Sequence, residues 1–355
     1  MNILDRYIVR TILGSVTLVM AVVMALGALF LFIGQQDDIG VGSYTALDAL
    51  FFVLLNLPEQ AWQLLPISAL IGSLLGLGSL ARGSEITVIR ATGISPARLA
   101  VAALIAAVAL IAFEVAIGEF VAPQLQKAAR QHKAFSKFSD ITFGGGGGAW
   151  VRDGNLILNV AKQSGESQFG GMTIFELSPD HRLRAIGHAA RASAGASNEW
   201  MLRGYSESRF AQDRVLTRTS GERMLQSRVS AGFLGLAVAN PNNLPNSSLY
   251  GLIRYFQTNS LDARPYVFAF WSRIARTVAI AFTVLLAIPF VLGSLRSAGA
   301  GARTLVGILL GIGFFLLQQL IESGTLVFDL NPVILAWLPT TLLAVVTLGL
   351  LARAR

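Results

Sequence analysis

The chain contains no cysteine, and its only histidines are His132, His181 and His188. The absence of cysteine excludes disulfide bonds, thiolate catalysis and cysteine-ligated metal sites. The histidines are too scattered to predict a metal site, and no cofactor is expected. The chain also lacks a Walker A motif, since no Gly-Lys-Ser/Thr sequence follows the glycine run Gly144–Gly148. Energy from ATP would therefore have to be supplied by a separate protein.

The chain is also poor in charged residues. Charged residues make up 14% of the chain, against about 25% in a typical soluble domain, whereas hydrophobic residues make up 54%. The mean hydropathy is +0.60. This composition predicts a polytopic membrane protein. The formal net charge of +8 does not by itself indicate nucleic-acid binding, because many of the arginines flank the apolar stretches.

Lysine and arginine are missing from every second connection between the long apolar stretches. The segments Gly34–Ala61 and Glu322–Leu330 contain neither residue but carry acidic ones: Asp37, Asp38, Asp48, Glu59, Glu322 and Asp329. The other connections are basic, through Arg6, Arg10, Arg82, Arg90, Arg98, Arg296, Arg303, Arg353 and Arg355. Because basic connections stay in the cytoplasm, the pattern predicts that both termini are cytoplasmic and that the chain between the third and fourth spans is external.

The apolar stretches predict six membrane spans in two groups of three: Thr11–Gly34, Gln60–Ala81, Pro96–Val121, Tyr266–Leu295, Thr304–Ile321 and Leu330–Ala352. A bilayer core about 30 Å thick needs roughly 20 helical residues. Tyr44–Leu57 is shorter and ends at Pro58, so it is predicted to be a separate interfacial helix. Gly72 and Gly76 predict a close helix contact. The chain divides into 1–123 with spans 1–3, an insert at 124–262, and 263–355 with spans 4–6.

The insert at 124–262 is polar and shows β patterns. Trp150–Arg152 and Asn155–Val160 flank Asp153 and Gly154, which predicts a hairpin with a two-residue type I′ turn. Further strands are predicted at Met172–Leu177, Leu183–Ala194, Glu199–Phe210 and Val215–Arg228. Several short strands joined by turns predict an all-β sandwich or β-jellyroll on the external side.

The basic connection between spans 2 and 3 predicts a short helix over residues 84–93. Ser84 is predicted to cap it, and Gly93 suits the position after its last turn. One interpretation is a surface turn. The other is a coupling helix that docks on a cytoplasmic motor, with Glu85 at the positive end of the helix dipole. The residues assigned to that contact are Glu85, Ile86, Ile89 and Arg90.

Cations gather where the phosphates of a lipid would lie. Lys127, Arg130 and Lys133 follow each other at three-residue spacing beyond span 3, and Arg273 and Arg276 lie near the external end of span 4. All five are predicted to contact lipid phosphates. Interfacial snorkelling, in which long cationic side chains reach for the membrane surface, is the alternative.

Two acids lie at the external end of span 3. Glu114 is predicted to face the bundle interior, as ionisable residues in spans do. Glu114 and Glu119 could instead form the carboxylate pair of a membrane hydrolase, but no nucleophile or base accompanies them. A signalling receptor is a further alternative, and it would need a cytoplasmic output domain. The longest cytoplasmic segment, Arg82–Pro96, is too short for one.

Several short motifs resemble one family. Leu4–Ile8, Gly42–Tyr44 and Ser84–Ile86 resemble the LptF/LptG permeases of the lipopolysaccharide exporter. Ile117–Gln124 and the Trp-x-x-Asp-Gly pattern that starts at Trp150 resemble the LptG-type members. The resemblance covers the whole chain. It implies a transport permease of the Gram-negative inner membrane that is not itself an enzyme.

The resemblance also implies partners. These are an LptF-like permease, an LptB-like ATPase dimer and an LptC-like single-span protein beside span 1. A β-jellyroll would pass lipopolysaccharide to a periplasmic bridge. By position, Glu85 matches the coupling acid, and Arg130 and Lys133 match basic residues near the lipid A phosphates. Some members carry lysines at the external end of span 1, where this chain has Asp37 and Asp38.

The implied substrate, lipopolysaccharide, predicts a role for the apolar residues of the strands. Ile157 in one predicted strand and Phe175 in the next, with their same-face neighbours, are predicted to line an apolar groove for acyl chains. One rival remains among transporters, a permease of a lipoprotein-release or mechanotransmission ABC system. Such proteins typically have four spans per chain, so the number of spans separates the two hypotheses.

Overall fold

A computed structural model describes residues 3–137, 141–142, 149–163, 168–180, 182–194, 199–211, 214–226, 241, 244–292, 300–324 and 330–353. Its helices are α1 Ile3–Ile33, α2 Ala46–Arg82, α3 Glu85–Ala91, α4 Pro96–Ala116, α5 Ala122–Lys137, α6 Asn246–Thr258, α7 Arg264–Leu292, α8 Ala300–Gly324 and α9 Pro332–Arg353. A π turn, Ile117–Val121, joins α4 to α5. The predictions for His181, Gly144–Gly148, Arg296, Asp329 and Arg355, and for the side chains of Arg303 and Glu322, fall outside the described residues.

Five helical segments are long and apolar enough to cross a membrane: Ile3–Asp38, Ala46–Arg82, Pro96–Lys133, Arg264–Leu292 and Pro332–Arg353. Within α8, Leu309–Ile321 forms a shorter apolar helix. The bundle core joins α1, α2, α4 and α7. A Cβ on Gly72 would lie 2.5 Å from the Cα of Val16, and one on Gly76 would lie 3.1 Å from the carbonyl oxygen of Thr11. The predicted close helix contact is confirmed, and it joins α1 to α2.

The predicted break at Pro58 is wrong, because α2 runs unbroken through both Pro58 and Pro66. A proline removes one backbone hydrogen bond. Ending the helix inside hydrocarbon would leave several backbone groups without partners, which costs more. The helix starts instead at a capping box, in which Asp48 accepts from the backbone N–H of Thr45 at 2.7 Å. The predicted interfacial helix and span 2 are therefore one helix of 37 residues.

Two serines predicted as helix caps behave differently. Ser95 caps α4, since its Oγ accepts from the backbone N–H of Arg98 at 3.3 Å. Ser84 does not cap α3, because the chain reverses sharply after α2 and holds Ser84 at a left-handed φ of 60°. Gly93 follows α3 with a φ of 88°, as a glycine after a helix end commonly does.

The described insert is one antiparallel sheet. Its strands are β1 Ile141–Thr142, β2 Ala149–Asp153, β3 Leu156–Gln163, β4 Gln168–Leu177, β5 Leu183–Ala194, β6 Glu199–Phe210 and β7 Val215–Gln226. Strands β3 to β7 follow each other as a meander, while β1 and β2 both pair with the free edge of β3. The predicted strands are confirmed. The hairpin turn is shifted, however, because Asp153 pairs with Leu156. Of the two turn residues only Gly154 has a positive φ, which excludes type I′.

A row of small residues crosses the sheet. Between neighbouring strands from β3 to β7, the pairing skips one residue on each strand. The skipped residues form a line across the sheet: Ala161, Gly171, Ala190, Gly204 and Gly221. Gly171 and Gly204 have φ of 61° and 63°. Glycine kinks of this kind curve a sheet. One face of the sheet is accordingly buried, and the rings of Phe169 and Trp200 meet on it at 5.2 Å.

We expect Gly204→Ala to lower the free energy of unfolding of the sheet by about 1–2 kcal/mol, the cost of a left-handed non-glycine residue. Its Cβ would also lie 3.2 Å from the Cβ of Ala190. Gly221→Ala is the matched control, since a Cβ there meets nothing within 4 Å. Hydrogen exchange of the β6 amides in the purified protein measures the difference. Equal protection in the two variants would contradict the role assigned to the glycine row.

Candidate functional site

A polar centre lies inside the bundle near the end that carries the sheet, here called the sheet end. The indole of Trp62 on α2 contacts two guanidinium groups of α7, with Arg273 at 4.2 Å and Arg276 at 4.7 Å from the ring centroid. Arg273 is only 6% exposed and donates to the carbonyl oxygen of Gly118 at 2.7 Å. With its amide turned so that the oxygen faces Arg276, Gln318 on α8 accepts two hydrogen bonds from that guanidinium at 2.8 Å. The centre therefore ties four helical segments together.

The π turn explains how these groups meet. A Cβ on Gly118 would lie 2.4 Å from Cδ1 of Trp62, so only glycine lets the turn approach α2 this closely. A π turn also disturbs the regular hydrogen-bond ladder of a helix, and here the Gly118 carbonyl is bound by Arg273. A desolvated cation–π contact contributes about 2 kcal/mol. Arg273 thus has both a ring and a carbonyl to offset its burial.

Two buried carboxylates complete the centre. Glu114 is 1% exposed, and neither of its oxygens has a hydrogen-bond partner among the described residues. Glu59 accepts from Nε2 of Gln63 at 2.9 Å. Both acids lie within electrostatic range of Arg273 and Arg276, which opposes the cost of burying these groups. The prediction that Glu114 faces the interior is confirmed.

Arg273 and Arg276 were predicted to contact lipid phosphates, with snorkelling as the alternative. Arg273 lies deeper than either hypothesis assumed, because it is buried and donates to the Gly118 carbonyl inside the bundle. Both guanidinium groups contact the Trp62 ring. A phosphate contact by these two residues stays a prediction.

The cations of α5 differ in how far they are exposed. Lys133 forms an ion pair with Asp38 at 2.5 Å and donates to Oε1 of Gln35 at 2.6 Å. Its charge is therefore paired in this structure, and its predicted contact with lipid phosphates stays a prediction. Lys127 and Arg130 are exposed. Arg130 makes no hydrogen bond or ion pair within the part of the chain that the structure describes, although Glu59 lies within its electrostatic range.

Helix α3 lies at the opposite end of the bundle from the sheet. Ile86 is 6% exposed and belongs to the bundle core, and Ile89 packs against that core. The apolar face of the short helix thus packs against the bundle, and the predicted partner contact of Ile86 and Ile89 stays a prediction. The side facing away carries Val88, which is 62% exposed, while Arg90 is exposed one turn after Ile86. Glu85 accepts a hydrogen bond from the hydroxyl of Tyr7 at 2.8 Å.

The residues of the predicted acyl-chain groove lie on the less buried face of the sheet, and the groove itself stays a prediction. The buried face carries Leu158 and Ile174, whereas Ile157 and Phe175 are half-buried on the other face. There Phe175 stacks on Trp150 with ring centroids 5.7 Å apart. Strand β3 is apolar on both faces, so alternation alone did not identify the inner one. The buried residues of β3 and β4 alternate along each strand with Asn159 and Thr173. These two polar residues mark the less buried face and could have identified it from the sequence.

The buried face ends in a charged cluster that the sequence did not reveal. Arg223 donates to the hydroxyl of Tyr205 at 2.6 Å and also contacts the carboxylate of Glu207. Burial raises the pKa of Tyr205 to about 12. Burial also opposes ionisation of Glu207, but hydrogen bonds from Arg209 and the charge of Arg223 outweigh it, and the pKa of Glu207 lies below its ordinary value. At neutral pH the apolar face therefore has an ionised border.

The bundle also contains an apolar cavity of about 240 Å³ between α2, α7, α8 and α9. Pro66, Leu286, Leu317 and Leu343 are among its lining residues. Water needs two to four polar partners to occupy a cavity, and the one hydroxyl in the lining, of Thr283, already donates to the carbonyl of Ile280 at 2.8 Å. The cavity suits hydrocarbon. Bundle and sheet thus each combine an apolar surface with nearby cations, which suits an amphiphile with acyl chains and anionic groups.

The chain matches the family model described as lipopolysaccharide export system permease LptF/LptG over residues 6–353. It is 32% identical over 356 aligned residues to the lipopolysaccharide export system permease protein LptG of Escherichia coli, covering 99% of this chain and 98% of that protein. LptG of Haemophilus influenzae is 29% identical over 355 residues, covering 100% and 99%. LptF of Escherichia coli is 37% identical over 109 residues, which is 30% of this chain and 29% of that protein. The similarity to LptG thus includes bundle and sheet alike.

Proposed function

The chain belongs to the LptF/LptG family of lipopolysaccharide export system permeases, and on that premise we propose that it is the LptG-type half of a transporter that extracts lipopolysaccharide from the outer leaflet of the inner membrane. One observation carries the mechanism. A single chain joins an apolar bundle, with exposed cations at its sheet end, to a sheet whose apolar face ends in ionised groups. Acyl chains and phosphates would find matching surfaces along the whole path.

The proposed steps follow from these surfaces. The apolar helices receive the acyl chains, while Lys127 and Arg130 meet the phosphates at the sheet end of the bundle. Charge-assisted hydrogen bonds to phosphate are about twice as strong as neutral ones, so this contact orients the lipid. The acyl chains then follow the buried face of the sheet, and Arg223 at its border faces the polar part of the substrate.

The partners are proposed from the family. An LptF-like permease forms the second half, an LptB-like ATPase dimer supplies energy, and an LptC-like single-span protein lies beside α1. In this proposal α8 is the fifth of six spans, the sheet belongs to a periplasmic β-jellyroll, and both termini are cytoplasmic. The chain hydrolyses no ATP itself. A lipoprotein-release or mechanotransmission permease would typically have four spans, fewer than the five helices among the described residues that are long and apolar enough to cross a membrane.

The phosphate contact predicts opposite effects for two substitutions. Arg130→Glu should weaken binding of lipopolysaccharide to the detergent-solubilised complex about tenfold, because it removes a charge-assisted hydrogen bond of about 1.5–3 kcal/mol. Asp38→Asn should strengthen binding, since it releases Lys133 from its ion pair. The measurement is a lipopolysaccharide titration of each purified complex.

Arg214→Glu, on an exposed residue at the start of the last strand, is the matched charge reversal. Its effect on binding should be small. If it weakens binding as much as Arg130→Glu does, the effect is general electrostatics. If Asp38→Asn leaves binding unchanged or weakens it, Lys133 serves only to hold α5 against the segment after α1. The proposed phosphate contact at the sheet end is then refuted.

Glu85→Ala should leave the protein inserted but reduce its affinity for the ATPase dimer by about tenfold, the loss of one charge-assisted contact. Tyr7→Phe is the control, because it removes the internal hydrogen bond to Glu85 while keeping the carboxylate. Co-purification and ATP-driven transport are measured for both variants. Equal defects in the two would mean that Glu85 only fastens α3 to α1, which contradicts a coupling role.

A further inference from the structure

Helix α6 connects the sheet to the bundle and has no cap of its own. Its N-cap residue is Pro245, which offers no side-chain hydrogen bond. The first backbone N–H groups of the helix, those of Asn246 and Ser247, instead donate to the two carboxylate oxygens of Glu119, each at 2.9 Å. Glu119 precedes them by 127 and 128 residues. A carboxylate at a helix N-terminus is favoured by both charge-assisted hydrogen bonds and the helix dipole.

Glu119 belongs to the same π turn as Gly118. That turn contacts Trp62 of α2 through Gly118, and Arg273 of α7 donates to its carbonyl. Any relative shift of these helices therefore displaces the carboxylate that holds α6. The polar centre and the start of α6 therefore contact adjacent residues, Gly118 and Glu119, of one five-residue turn.

The far end of α6 is bonded to the sheet. The hydroxyl of Tyr255 donates to the carbonyl oxygen of Arg152 in β2 and accepts from the Arg152 backbone N–H at 3.0 Å. Tyr255 also packs against the buried face of the sheet. Between its two ends, Leu249 and Leu252 pack against the first turns of α7. At 1.5 Å per residue, the nine steps from Asn246 to Tyr255 span about 14 Å.

We propose that Glu119 is a positioning residue that transmits movement of the bundle to the sheet through α6. A short helix bonded at both ends is stiff, so a displacement of the π turn rotates or shifts β2 with it. The inference rests on the proposed function, because it assumes that ATP hydrolysis by a partner moves the bundle. Its consequence is that lipopolysaccharide transfer to the sheet depends on a carboxylate that contacts no substrate.

The test uses the reconstituted complex and the absence of native cysteine, which lets spin labels be placed on introduced cysteines. One label pair, at Val41 and Leu330, reports movement within the bundle, and a second pair, at Val41 and Leu183, reports movement of the sheet relative to it. Glu119→Gln keeps the size of the side chain but turns an amide group toward a helix N–H. Glu222→Gln is the control, since Glu222 pairs with Arg203 on the exposed part of the sheet.

On trapping with a non-hydrolysable ATP analogue, both label distances should change in the wild-type and Glu222→Gln complexes. In the Glu119→Gln complex only the Val41–Leu330 distance should change. Lipopolysaccharide transferred per ATP should fall about fivefold, within the usual cost of losing a helix cap, while the ATPase rate stays within twofold. A sheet that still follows the bundle in Glu119→Gln overturns the inference.

Two further outcomes are also decisive. If the ATPase rate and transfer fall together, Glu119 only stabilises the fold, and the transmission role is wrong. If the Val41–Leu330 distance does not change in the wild-type complex, the ATP-driven function fails, and the inference falls with it.

Discussion

Hydrocarbon offers backbone amides no hydrogen-bond partner, and the rest of the structure depends on this constraint. It keeps α2 continuous through Pro58 and Pro66, so one helix carries Trp62 from the sheet end into the bundle. It also requires that backbone groups left unbonded by an irregular turn find hydrogen-bond partners inside the protein. The π turn at Ile117–Val121 is such a place, and the guanidinium of Arg273 binds the Gly118 carbonyl there.

The hydrogen bond from Arg273 to Gly118 affects more than the backbone. A buried arginine must itself be compensated, and Trp62 and the acids Glu59 and Glu114 supply the ring and the opposite charges. The same turn presents Glu119 to α6, so the connection between membrane bundle and sheet starts from the most polar part of the bundle interior. Arg130 is exposed and lies only within electrostatic range of Glu59, so it remains available to an anionic substrate.

Sequence patterns predicted the helical bundle, most strand limits and the family, because these depend on periodicity and short motifs. They failed where distant segments decide the outcome. Ser84 and Ser95 look equally suited to capping, yet the reversal after α2 leaves only Ser95 in a capping geometry. Lys133 and Asp38 were both recognised as charges, but nothing in their spacing showed that they pair. The Trp62 centre combines four segments, and no local pattern marks it.

The central claim is that lipopolysaccharide moves along the buried face of the sheet under the power of a partner ATPase. Leu225 lies on that face opposite Trp200, whereas the adjacent Met224 is exposed on the other face. A photo-crosslinking residue at each position, in the reconstituted complex, measures the claim directly. We predict capture of lipopolysaccharide at position 225 only when ATP is hydrolysed, and little at 224. Equal capture at both positions, or capture at 225 with a hydrolysis-deficient ATPase, would contradict the account.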